Sequence, residues 1–461
     1  MARLGRHTTL FVFAVAGLGA ILSGCSGEGA SGSAAVAVLT QVPITDLLTA
    51  SAIVDVNGDG KNDVFLAQSE FVASDVVLLN DGDGRSFTAR SLPPRYQGVN
   101  SQTVVFEPGD FNEDGKVDVL SVTVDHSYTS ARIQLFLGQG NGTFVDASAN
   151  ITAGLWPLSA PYLAPGSVVS TWPVWLRVVD IDGDGHLDFV AASFGGGGYI
   201  YRNDGTGKFA PVSMALTDGV KSGSFKALAW GVLGPGSTLT PNAADVLVGD
   251  LNQDGKPDLF APNGWNYHVA FLNTSSPGVL SFTIKYSPGT SPMLNGMLLD
   301  INGDGVLDVV GSPFNGTISP IPVVAFLGNG AGVFTENNTV FSPAQPGQVG
   351  ARQYLTADFN DDGKQDLFIA DSGWDYFPFP GARNWLLINE NGVLVDKTRT
   401  NLDLLPGYTH GASIGDLNGD CRVDMILNNF AQTYQSAAKE PRFWLNDGTG
   451  KFTSYNPVIH Q

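Results

Sequence analysis

The stretch Asp55-Val56-Asn57-Gly58-Asp59-Gly60-Lys61-Asn62-Asp63 is the clearest copy of a nine-residue motif that the chain repeats. Six further copies begin at Asp110, Asp180, Asp250, Asp300, Asp358 and Asp416. Every copy has Asp or Asn at positions 1, 3, 5 and 9, and six copies have Gly at position 6. Oxygen ligands at alternate positions, closed by one more carboxylate after a sharp turn, are what a short loop needs to bind Ca²⁺. The chain is therefore predicted to be a repeat protein built on calcium-binding loops.

The spacing of the motifs indicates the size of one repeat. Successive copies start 55, 70, 70, 50, 58 and 58 residues apart, which suits a four-stranded propeller blade with generous loops. Self-similarity at such a period points to one closed or stacked architecture in place of several domains. The composition, with 43% hydrophobic and 15% charged residues and 57 Gly, is that of a globular protein rich in turns.

The net charge of -20 is located mainly in the motifs. Positions 1, 3, 5 and 9 hold 22 Asp, which is half of the 44 acidic residues, and the other 22 nearly balance the 24 Lys and Arg. Bound divalent cations would remove much of this negative charge. The sequence shows no basic patch, so nucleic acid is excluded as a partner.

The first 25 residues have the layout of an export signal. A positively charged start precedes an apolar run over residues 10–22, which is too short to span a membrane. The run ends in Leu22-Ser23-Gly24-Cys25, which resembles the lipobox of bacterial lipoproteins, and this resemblance implies that Cys25 is lipidated. We therefore expect an exported bacterial lipoprotein of the outer membrane or cell surface that touches the membrane only through its N-terminal lipid. An ordinary cleaved signal peptide is the alternative.

Residues 26–50 are predicted to be a flexible tether, because they begin with a run of Gly, Ser and Ala. The apolar stretch 34–39 within them is a candidate for a strand that closes the ring of repeats. With Cys25 taken by lipid, Cys421 is left without a partner, and no disulfide is predicted.

Each motif lies between two apolar runs of strand length. Ala52-Ile53-Val54 precedes the first copy and Val64-Phe65-Leu66-Ala67 follows it. Such runs are β-rich and bounded by turn residues, and their continuous apolar character predicts strands that are buried on both faces. In a second signature, an apolar strand leads into a Gly/Asn/Asp turn and then an aromatic residue, as between Leu78 and Phe87. Four strands in each of seven repeats predict an all-β, seven-bladed β-propeller of four-stranded blades.

The paired motifs resemble the FG-GAP or VCBS repeats of the integrin α-subunit head and of many bacterial surface proteins. The resemblance covers roughly residues 50–455 and implies a propeller domain over residues 51–458 with calcium-binding loops. The EF-hand shares the start of the motif, but it needs Glu at position 12 and flanking helices, and no copy has that Glu. Asp and Asn residues that merely form turns are the other alternative, which seven copies make hard to sustain.

The predicted ligands of up to seven Ca²⁺ ions are the side-chain oxygens at positions 1, 3, 5 and 9, with the backbone carbonyl of position 7. They are Asp55, Asn57, Asp59, Asp63, Asp110, Asn112, Asp114, Asp118, Asp180, Asp182, Asp184, Asp188, Asp250, Asn252, Asp254, Asp258, Asp300, Asn302, Asp304, Asp308, Asp358, Asn360, Asp362, Asp366, Asp416, Asn418, Asp420 and Asp424. Cys421 replaces the turn Gly in the seventh copy, where a left-handed conformation costs a side chain about 1 kcal/mol or more. The site that begins at Asp416 is therefore predicted to be the weakest. The role of the metal ions is predicted to be structural.

Function is predicted to lie on the face opposite the calcium loops, where the loops between second and third strands emerge. Several of these loops are rich in aromatic and polar side chains, which glycan-binding and protein-binding surfaces use. The candidate ligand-binding residues are His126, Tyr128, Trp265, Tyr267, His268, Trp374, Tyr376, Arg383 and His410. Rings that only anchor loops over the blade edges are the alternative.

The sequence leaves three functions open. The leading one is a non-enzymatic, monomeric adhesion module that binds a glycan or a surface protein, as the resemblance to integrin-type heads implies. The second is an enzyme that resembles polysaccharide lyases built on propellers, with His268 or His410 as the base and Arg383 binding acidic groups. The third is a scaffold for the assembly of other envelope proteins, similar to propeller lipoproteins of the outer membrane.

Overall fold

The computed structural model describes residues 50–68, 72–96, 98–125, 131–152, 173–193, 198–212, 214–217, 222–225, 231–232, 240–241, 245–262, 267–288, 291–313, 319–373, 381–402, 407–429 and 442–460. The predicted signal segment and most of the predicted tether lie outside these residues. The described residues include seven sheets that each contain four antiparallel strands in chain order; three of these sheets carry further outer strands, and two two-stranded sheets lie apart from them. The seven sheets are the blades of a β-propeller, and the predicted all-β, seven-bladed fold is confirmed.

Each motif forms the loop between the first and second strands of a blade. Blade 1 comprises Ser51–Val54, Asp63–Leu66, Ser74–Asn80 and Ser86–Pro94. Blade 2 comprises Ser101–Gly109, Asp118–Asp125, Ala131–Gly138 and Phe144–Asp146. Blade 3 comprises Pro173–Val179, Asp188–Ser193, Gly198–Asn203 and Phe209–Pro211. Blade 4 comprises Leu247–Gly249, Asp258–Ala261, Tyr267–Asn273 and Leu280–Pro288.

The last three blades repeat this plan. Blade 5 comprises Asn295–Leu299, Asp308–Ser312, Val324–Gly328 and Phe334–Glu336. Blade 6 comprises Ala351–Ala357, Asp366–Asp371, Trp385–Asn389 and Leu394–Asp396. Blade 7 comprises Thr409–Gly415, Asp424–Asn429, Arg442–Asn446 and Phe452–Tyr455.

The hydrophobic core lies between neighbouring blades. Buried apolar side chains form seven clusters, and each cluster joins two consecutive blades or, in one case, the last blade and the first. In the second strand of blade 1, Val64 and Leu66 face blade 7, whereas Phe65 faces blade 2. Successive side chains of a strand point to opposite faces, so a strand between two sheets must be apolar on both. The predicted burial of the run Val64-Phe65-Leu66-Ala67 on both faces is therefore confirmed.

The C-terminal segment closes the ring. Val458–His460 pairs in parallel with the outer strand Ser86–Pro94 of blade 1. Blade 7 has four strands of its own and needs no strand from elsewhere. The predicted closing strand at 34–39 falls outside the described residues, and the strand that the structure shows at the junction comes from the opposite end of the chain.

The same outer link follows other blades. Met214–Thr217 pairs in parallel with the outer strand of blade 4, and Phe341–Ser342 pairs in parallel with that of blade 6. Ile151 forms a parallel bridge with Phe209 in blade 3. In each case the chain leaves one blade and covers the outer edge of the next. This pairing covers backbone N–H and C=O groups that an exposed edge strand would leave unpaired. Val458–His460 therefore closes the ring with the same parallel pairing that connects other blades to their neighbours.

A few short elements lie outside the blades. Two 3₁₀ turns span Ser148–Asn150 and Asn338–Val340, and a single helical turn spans Thr398–Asn401. The remaining short strands are Ser222–Phe225, Gly231–Val232, Thr240–Pro241, Ile321–Pro322 and Gly347–Gln348. Within the described ranges, no helix has the length and apolar character needed to cross a bilayer.

Cys421 is disulfide-bonded in the structure. The prediction that this cysteine has no partner is therefore wrong. The sequence contains one other cysteine, Cys25, which lies outside the described residues. The prediction failed because it assigned the sulfur of Cys25 to lipid before any pairing was considered.

Candidate metal loops and the opposite face

All seven motif loops share one backbone shape with two left-handed residues. Position 6 has a positive φ in every copy, including Cys421 at 68°, so the predicted left-handed conformation of Cys421 is confirmed. Position 4 also has a positive φ in every copy, although sequence reasoning did not single it out. The residues at position 4 are Gly58, Glu113, Gly183, Gln253, Gly303, Asp361 and Gly419. Three of them carry a side chain, which makes this conformation costly.

The side chains at positions 1, 3 and 5 fold each loop around a cluster of oxygens. In the first loop, Asp55 Oδ1 accepts the N–H of Gly58 at 2.8 Å, and its Oδ2 accepts the N–H of Gly60 at 2.8 Å. Asn57 Oδ1 accepts from the N–H of Asp59 at 2.9 Å, and Asp59 Oδ1 accepts from the N–H of Lys61 at 3.0 Å. The bonds to Oδ2 of position 1 and to the oxygens of positions 3 and 5 recur in all seven loops, whereas the bond from the N–H of position 4 recurs where that residue is Gly. An all-oxygen donor set that the backbone holds in place fits a hard cation such as Ca²⁺.

The carboxylate at position 9 ties the loop to the third strand of its blade. Asp63 is fully buried, and its Oδ2 accepts the N–H of Val56 at 3.0 Å. Its Oδ1 accepts the N–H of Asn80, at the end of the third strand, at 2.8 Å. Burial raises the pKa of Asp63 to about 7, although both N–H donors oppose the shift. A divalent cation beside this group would favour its ionised form.

The side chain at position 2 anchors each loop between the blades. This position is apolar and almost completely buried in all seven copies, and its residues are Val56, Phe111, Ile181, Leu251, Ile301, Phe359 and Leu417. Sequence reasoning concentrated on the polar positions and missed this one. The signal was visible, since seven apolar residues at one place in a polar loop indicate a common buried environment.

Five asparagines connect the loop of one blade to the third strand of the next. We call them the clamp asparagines: Asn80, Asn203, Asn273, Asn389 and Asn446. Each side-chain Nδ2 donates to the position 2 carbonyl of the preceding loop at 2.7–2.9 Å. Asn80 joins blade 1 to Leu417 in blade 7 and so takes part in ring closure. The loop face is therefore linked around most of the ring.

Blades 2 and 5 have glycine at the place of the clamp asparagine. A Cβ on Gly138 would lie 2.1 Å from the carbonyl oxygen of Val117, and a Cβ on Gly328 would lie 2.3 Å from that of Leu307. The backbone of the third strand approaches the loop too closely there to admit a side chain. The amide N–H of each glycine still donates to the position 9 carboxylate of its own blade at 2.8 Å.

The side chains at position 4 reach from one loop to the next. Glu113 pairs with His186, and Asp361 lies 3.5 Å from the guanidinium of Arg422. Gln253 Nε2 donates to the carbonyl of Gly305 at 2.9 Å. These three side chains are the ones that adopt the left-handed conformation at position 4. The contacts link loops 2 and 3, 4 and 5, and 6 and 7, and they explain why a residue other than Gly is present there.

The third loop contains a triad of carboxylates that can hold a metal ion. One oxygen from each of Asp180, Asp182 and Asp188 lies within 4.8 Å of the others, and Asp182 and Asp188 are buried. The third loop differs because position 3 is Asp182, where the other copies have Asn. Three like charges at this separation repel one another unless a cation lies close to them.

The hydrogen bonds confirm which ends of the strands share a face. The position 9 carboxylate of each loop bonds to the end of the third strand, so the loop and the following hairpin lie together. At the other end of blade 1, Arg95 follows the fourth strand and its guanidinium lies 3.5 Å from Asp75, which is in the third strand. The loops between second and third strands therefore lie opposite the motif loops, as predicted.

Most of the predicted ligand-binding residues are not among the described ones. His126, Tyr128, Trp265, Trp374 and Tyr376 lie outside the described residues, and Tyr267 begins the third strand of blade 4. The structure does not test whether these residues come together. Their role stays a prediction.

His268 is a core residue. It is fully buried, and its ring lies 4.7 Å from that of Phe326 and 5.8 Å from that of Phe260. Burial lowers the pKa of His268 to about 4, so the ring is neutral near pH 7. A side chain in this place does not meet a ligand from solvent, and we do not carry His268 forward as a binding residue or as a catalytic base.

Arg383 and His410 already have partners within the propeller. The guanidinium of Arg383 lies 3.7 Å from the ring centre of Trp385 and 2.7 Å from a carboxylate oxygen of Asp396. The ring of His410 lies 4.8 Å from that of Tyr408. Desolvation lowers the pKa of His410 well below its usual value. Arg383 remains about one-quarter exposed, two residues before the third strand of blade 6.

A second pairing of an arginine with an aromatic ring lies on the same face. The guanidinium of Arg132, at the start of the third strand of blade 2, lies 4.3 Å from the ring centre of Tyr96. Tyr96 is 45% exposed, which is unusual for so large a ring, and its N–H donates to Gln134 at 2.8 Å. Sequence reasoning missed Tyr96 because it lies in the connection between blades 1 and 2. The described part of this face therefore presents two arginine–aromatic pairs.

Comparison with known proteins agrees with the repeat architecture. The model of the FG-GAP-like repeat family matches residues 55–121, 110–166, 180–261, 250–311, 300–369 and 358–427. No curated protein matches this chain. The matched segments each begin at the first residue of a motif and end in the second strand of the next blade, apart from the one that ends at 166.

The solved structures that match this chain have little sequence in common with it. BBS1N in complex with ARL6DN, soaked with mercury, is 12% identical with a TM-score of 0.47, and the match covers 83% of this chain and 90% of that chain. YCF48 bound to D1 peptide is 11% identical with a TM-score of 0.41, over 85% and 91% of the two chains. A mutant Aleuria aurantia lectin in complex with alpha-methyl-L-fucoside is 8% identical with a TM-score of 0.34, over 92% and 97%.

Proposed function

Because the chain belongs to the family of FG-GAP-like repeat proteins, we propose that it is a calcium-stabilised binding module anchored to the cell envelope. Its ligand is a glycan or a surface protein, which binds on the face opposite the motif loops. The observation that carries the proposal is the contrast between the two faces. The loop face is occupied by its own hydrogen bonds and clamp asparagines, whereas the opposite face presents the arginine–aromatic pairs.

Calcium is proposed to stabilise the loop face. Backbone N–H groups hold the oxygens of each loop together without a cation. Binding a cation therefore costs little further conformational entropy of the loop. The buried carboxylates at position 9 give a further reason, since a cation would offset the cost of ionising them. In this proposal the ions bind up to seven loops, and the loop that begins at Asp416 binds most weakly.

Thermal unfolding in calcium and in chelator tests the role of the ions. Ligands that bind only the folded state raise the melting temperature, so we expect calcium to raise it and chelator to lower it. Magnesium at the same concentration is the control, because its smaller, stricter octahedral shell suits these loops less well. An identical melting temperature in calcium, magnesium and chelator would contradict the proposal.

The arginine–aromatic pairs support a ligand surface on the opposite face. Tyr96 presents a flat, exposed ring to solvent. Tyr combines an apolar ring with a polar hydroxyl group and is therefore enriched at binding interfaces. Arg132 and Arg383 hold their guanidinium groups over aromatic faces, and Arg383 is also paired with Asp396. The predicted aromatic residues of the neighbouring loops would extend this surface.

A glycan array probed with the full chain, in calcium and in chelator, tests the binding function. We expect calcium-dependent binding that is reduced by Tyr96→Ala and lost in the triple variant W265A/W374A/Y376A. Val279→Ala is the matched control, because Val279 is 59% exposed but lies in a turn on the loop face. Binding that survives both Tyr96→Ala and the triple variant would refute the choice of face. A bound glycan that is cleaved would replace the binding function by an enzymatic one, and a blank array from folded protein would leave a protein as the ligand.

Anchoring to the envelope is proposed through a lipid on Cys25, and because one sulfur cannot carry both a lipid and a disulfide, this proposal requires that Cys25 is not paired with Cys421 in the lipidated chain. Mass analysis of the mature N-terminal peptide tests it, with Cys25→Ser as the control that cannot be lipidated. We expect the mass of a diacylated or triacylated cysteine in the native chain alone. An unlipidated Cys25 that is linked to Cys421 would refute the anchor and would identify the partner in the disulfide.

A further inference from the structure

The third repeat departs from the other six at two places that are in contact. Its motif has Asp182 at position 3, where every other copy has Asn. The residue before its clamp asparagine is Arg202, whereas the other blades have Leu or Ile at this place in the third strand. The extra negative charge and the extra positive charge therefore occur in the same blade.

Arg202 binds two of the predicted ligand side chains of its own loop. Its Nε lies 2.7 Å from Oδ2 of Asp182, and its Nη2 lies 2.6 Å from Oδ2 of Asp184. The Asp182 side chain is fully buried and that of Asp184 is 9% exposed. The contact with Asp184 is a short, charge-assisted hydrogen bond, whereas the contact with Asp182 is a close ion pair. The cationic group thus lies against positions 3 and 5 of the loop.

The contact between blades 3 and 4 holds Arg202 in this place. In other blades the equivalent aliphatic side chain packs under the turn of the next blade, as Leu272 does against Gly332. Arg202 lies under the corresponding turn of blade 4, with guanidinium nitrogens 3.8 Å from a Cβ built on Gly278. The N–H of Gly278 in turn donates to Asp182 Oδ2 at 3.0 Å. The arginine is therefore part of the packed boundary between two blades.

The basic residues at position 7 of other loops do not have this arrangement. Lys116 and Lys364 contact only the position 5 carboxylate of their own loops, and their side chains are 40% and 37% exposed. Such exposed pairs contribute little and are easily exchanged for water. Arg202 differs because it bridges positions 3 and 5 from the strand side.

We propose that Arg202 is an internal competitor for the cation of the third loop, so that its guanidinium lowers the affinity of this loop for calcium. The carboxylates at positions 1, 3, 5 and 9 of the third loop carry one more negative charge than those of any other loop, and Arg202 offsets that charge. A metal ion that binds Asp180, Asp182 and Asp188 would place its charge beside the guanidinium of Arg202, which lies 2.7 Å from Asp182 Oδ2. The third loop therefore binds calcium more weakly than its four carboxylates alone would lead one to expect.

Counting bound calcium by native mass spectrometry over a series of buffered free calcium concentrations tests this proposal on the full chain. Arg202→Leu restores the aliphatic residue of the other blades, and it should bind one ion more than the native chain in an intermediate range of concentration. The affinity of that ion should increase about tenfold or more, because a guanidinium charge no longer lies against two of its ligands. The double variant D182N/R202L, which has the sequence pattern of the other blades at both places, should bind the same additional ion.

The control is Arg90→Leu, which removes the same charge from an exposed place in the fourth strand of blade 1. It should leave the number of ions and their affinities unchanged.

Arg202→Lys keeps the charge but cannot bridge two carboxylates, so it should increase the affinity by less than Arg202→Leu. This variant provides the test if Arg202→Leu does not fold. Equal counts and affinities in the native chain and in every folded Arg202 variant would overturn the proposal. It rests on the calcium occupancy proposed above, and the two are distinguishable: calcium binding that is unaffected by Arg202 refutes only the competitor, whereas a chain that binds no calcium in any variant refutes both.

Discussion

Replacing the clamp asparagine Asn80 by alanine should lower the free energy of unfolding by about 3 kcal/mol. Its Nδ2 donates to the carbonyls of Leu417 at 2.7 Å and Asn62 at 3.0 Å, and its Oδ1 accepts from the N–H groups of Gly82 at 2.9 Å and Gly84 at 3.1 Å. The residue is 4% exposed. Two of the four bonds are buried and are worth about 1 kcal/mol each, and the Leu417 carbonyl that loses this donor adds about 1 kcal/mol more.

Urea unfolding at fixed calcium concentration measures the effect, since bound calcium itself changes the apparent stability. Asn141→Ala is the matched control, because Asn141 lies in the equivalent hairpin of blade 2 but is exposed and bonds only to Thr143. The control should lose at most about 0.5 kcal/mol, as surface substitutions do. Asn80→Asp keeps the acceptor oxygen and removes the donor, so it should lose nearly as much as the alanine variant. A loss for Asn80→Ala no larger than that of Asn141→Ala would refute the clamp as a stabilising link between blades 1 and 7.

Three further perturbations follow from the same contacts. Gly328→Ala should lower the urea midpoint strongly, because the new Cβ would lie 2.3 Å from a backbone carbonyl oxygen; an unchanged midpoint would contradict the close approach. His268 has a folded pKa of about 4 against an ordinary 6.5, so its contribution is complete above pH 6.5 and is lost, up to about 3 kcal/mol, as the pH falls towards 4. Unfolding of the native chain and of His268→Phe at pH 7 and pH 4.5 should show a smaller loss in the variant, and equal losses would disprove the assignment. Cys421→Gly, compared with the native chain under reducing conditions, should bind calcium more tightly at the seventh loop because the left-handed strain at 68° is relieved; an unchanged calcium titration would show that this strain does not affect the ion.

The strands and the motif loops were predictable because they depend on interactions between near neighbours in the chain. The run Val64-Phe65-Leu66 is apolar at consecutive places, and the structure buries it between two blades. The positive φ at position 6 follows from the sharp turn that gathers the loop oxygens, and it holds even for Cys421. Both features are set within nine residues or one strand, so the sequence pattern shows them directly.

The predictions about the candidate binding face depended on which side chains are exposed to solvent, and the sequence pattern does not show this directly. His268 stood in a sequence rich in aromatic and polar residues, Trp265-Asn266-Tyr267-His268, that looked like an exposed loop. The third strand of blade 4 begins at Tyr267, so His268 belongs to the sheet and points into the core. Tyr96 had no motif around it, and its exposure became visible only in the folded chain. The alternation of buried and exposed sides along a strand depends on where that strand begins, and the sequence leaves that boundary open by a residue or two.

The amino-acid sequence by itself determined the repeat, the strand-loop-strand unit, the number of blades and the positions of the Asp and Asn oxygens in the motif loops. Only the tertiary structure decided how the blades are joined: the clamp asparagines, the links from position 4, the bridge from Arg202 to Asp182 and the closing strand Val458–His460. The physical reason is distance along the chain. A loop is shaped by hydrogen bonds between residues two to five apart, whereas Asn80 meets Leu417 across 337 residues. Such a pairing exists only after the ring has closed and brought the first blade against the last.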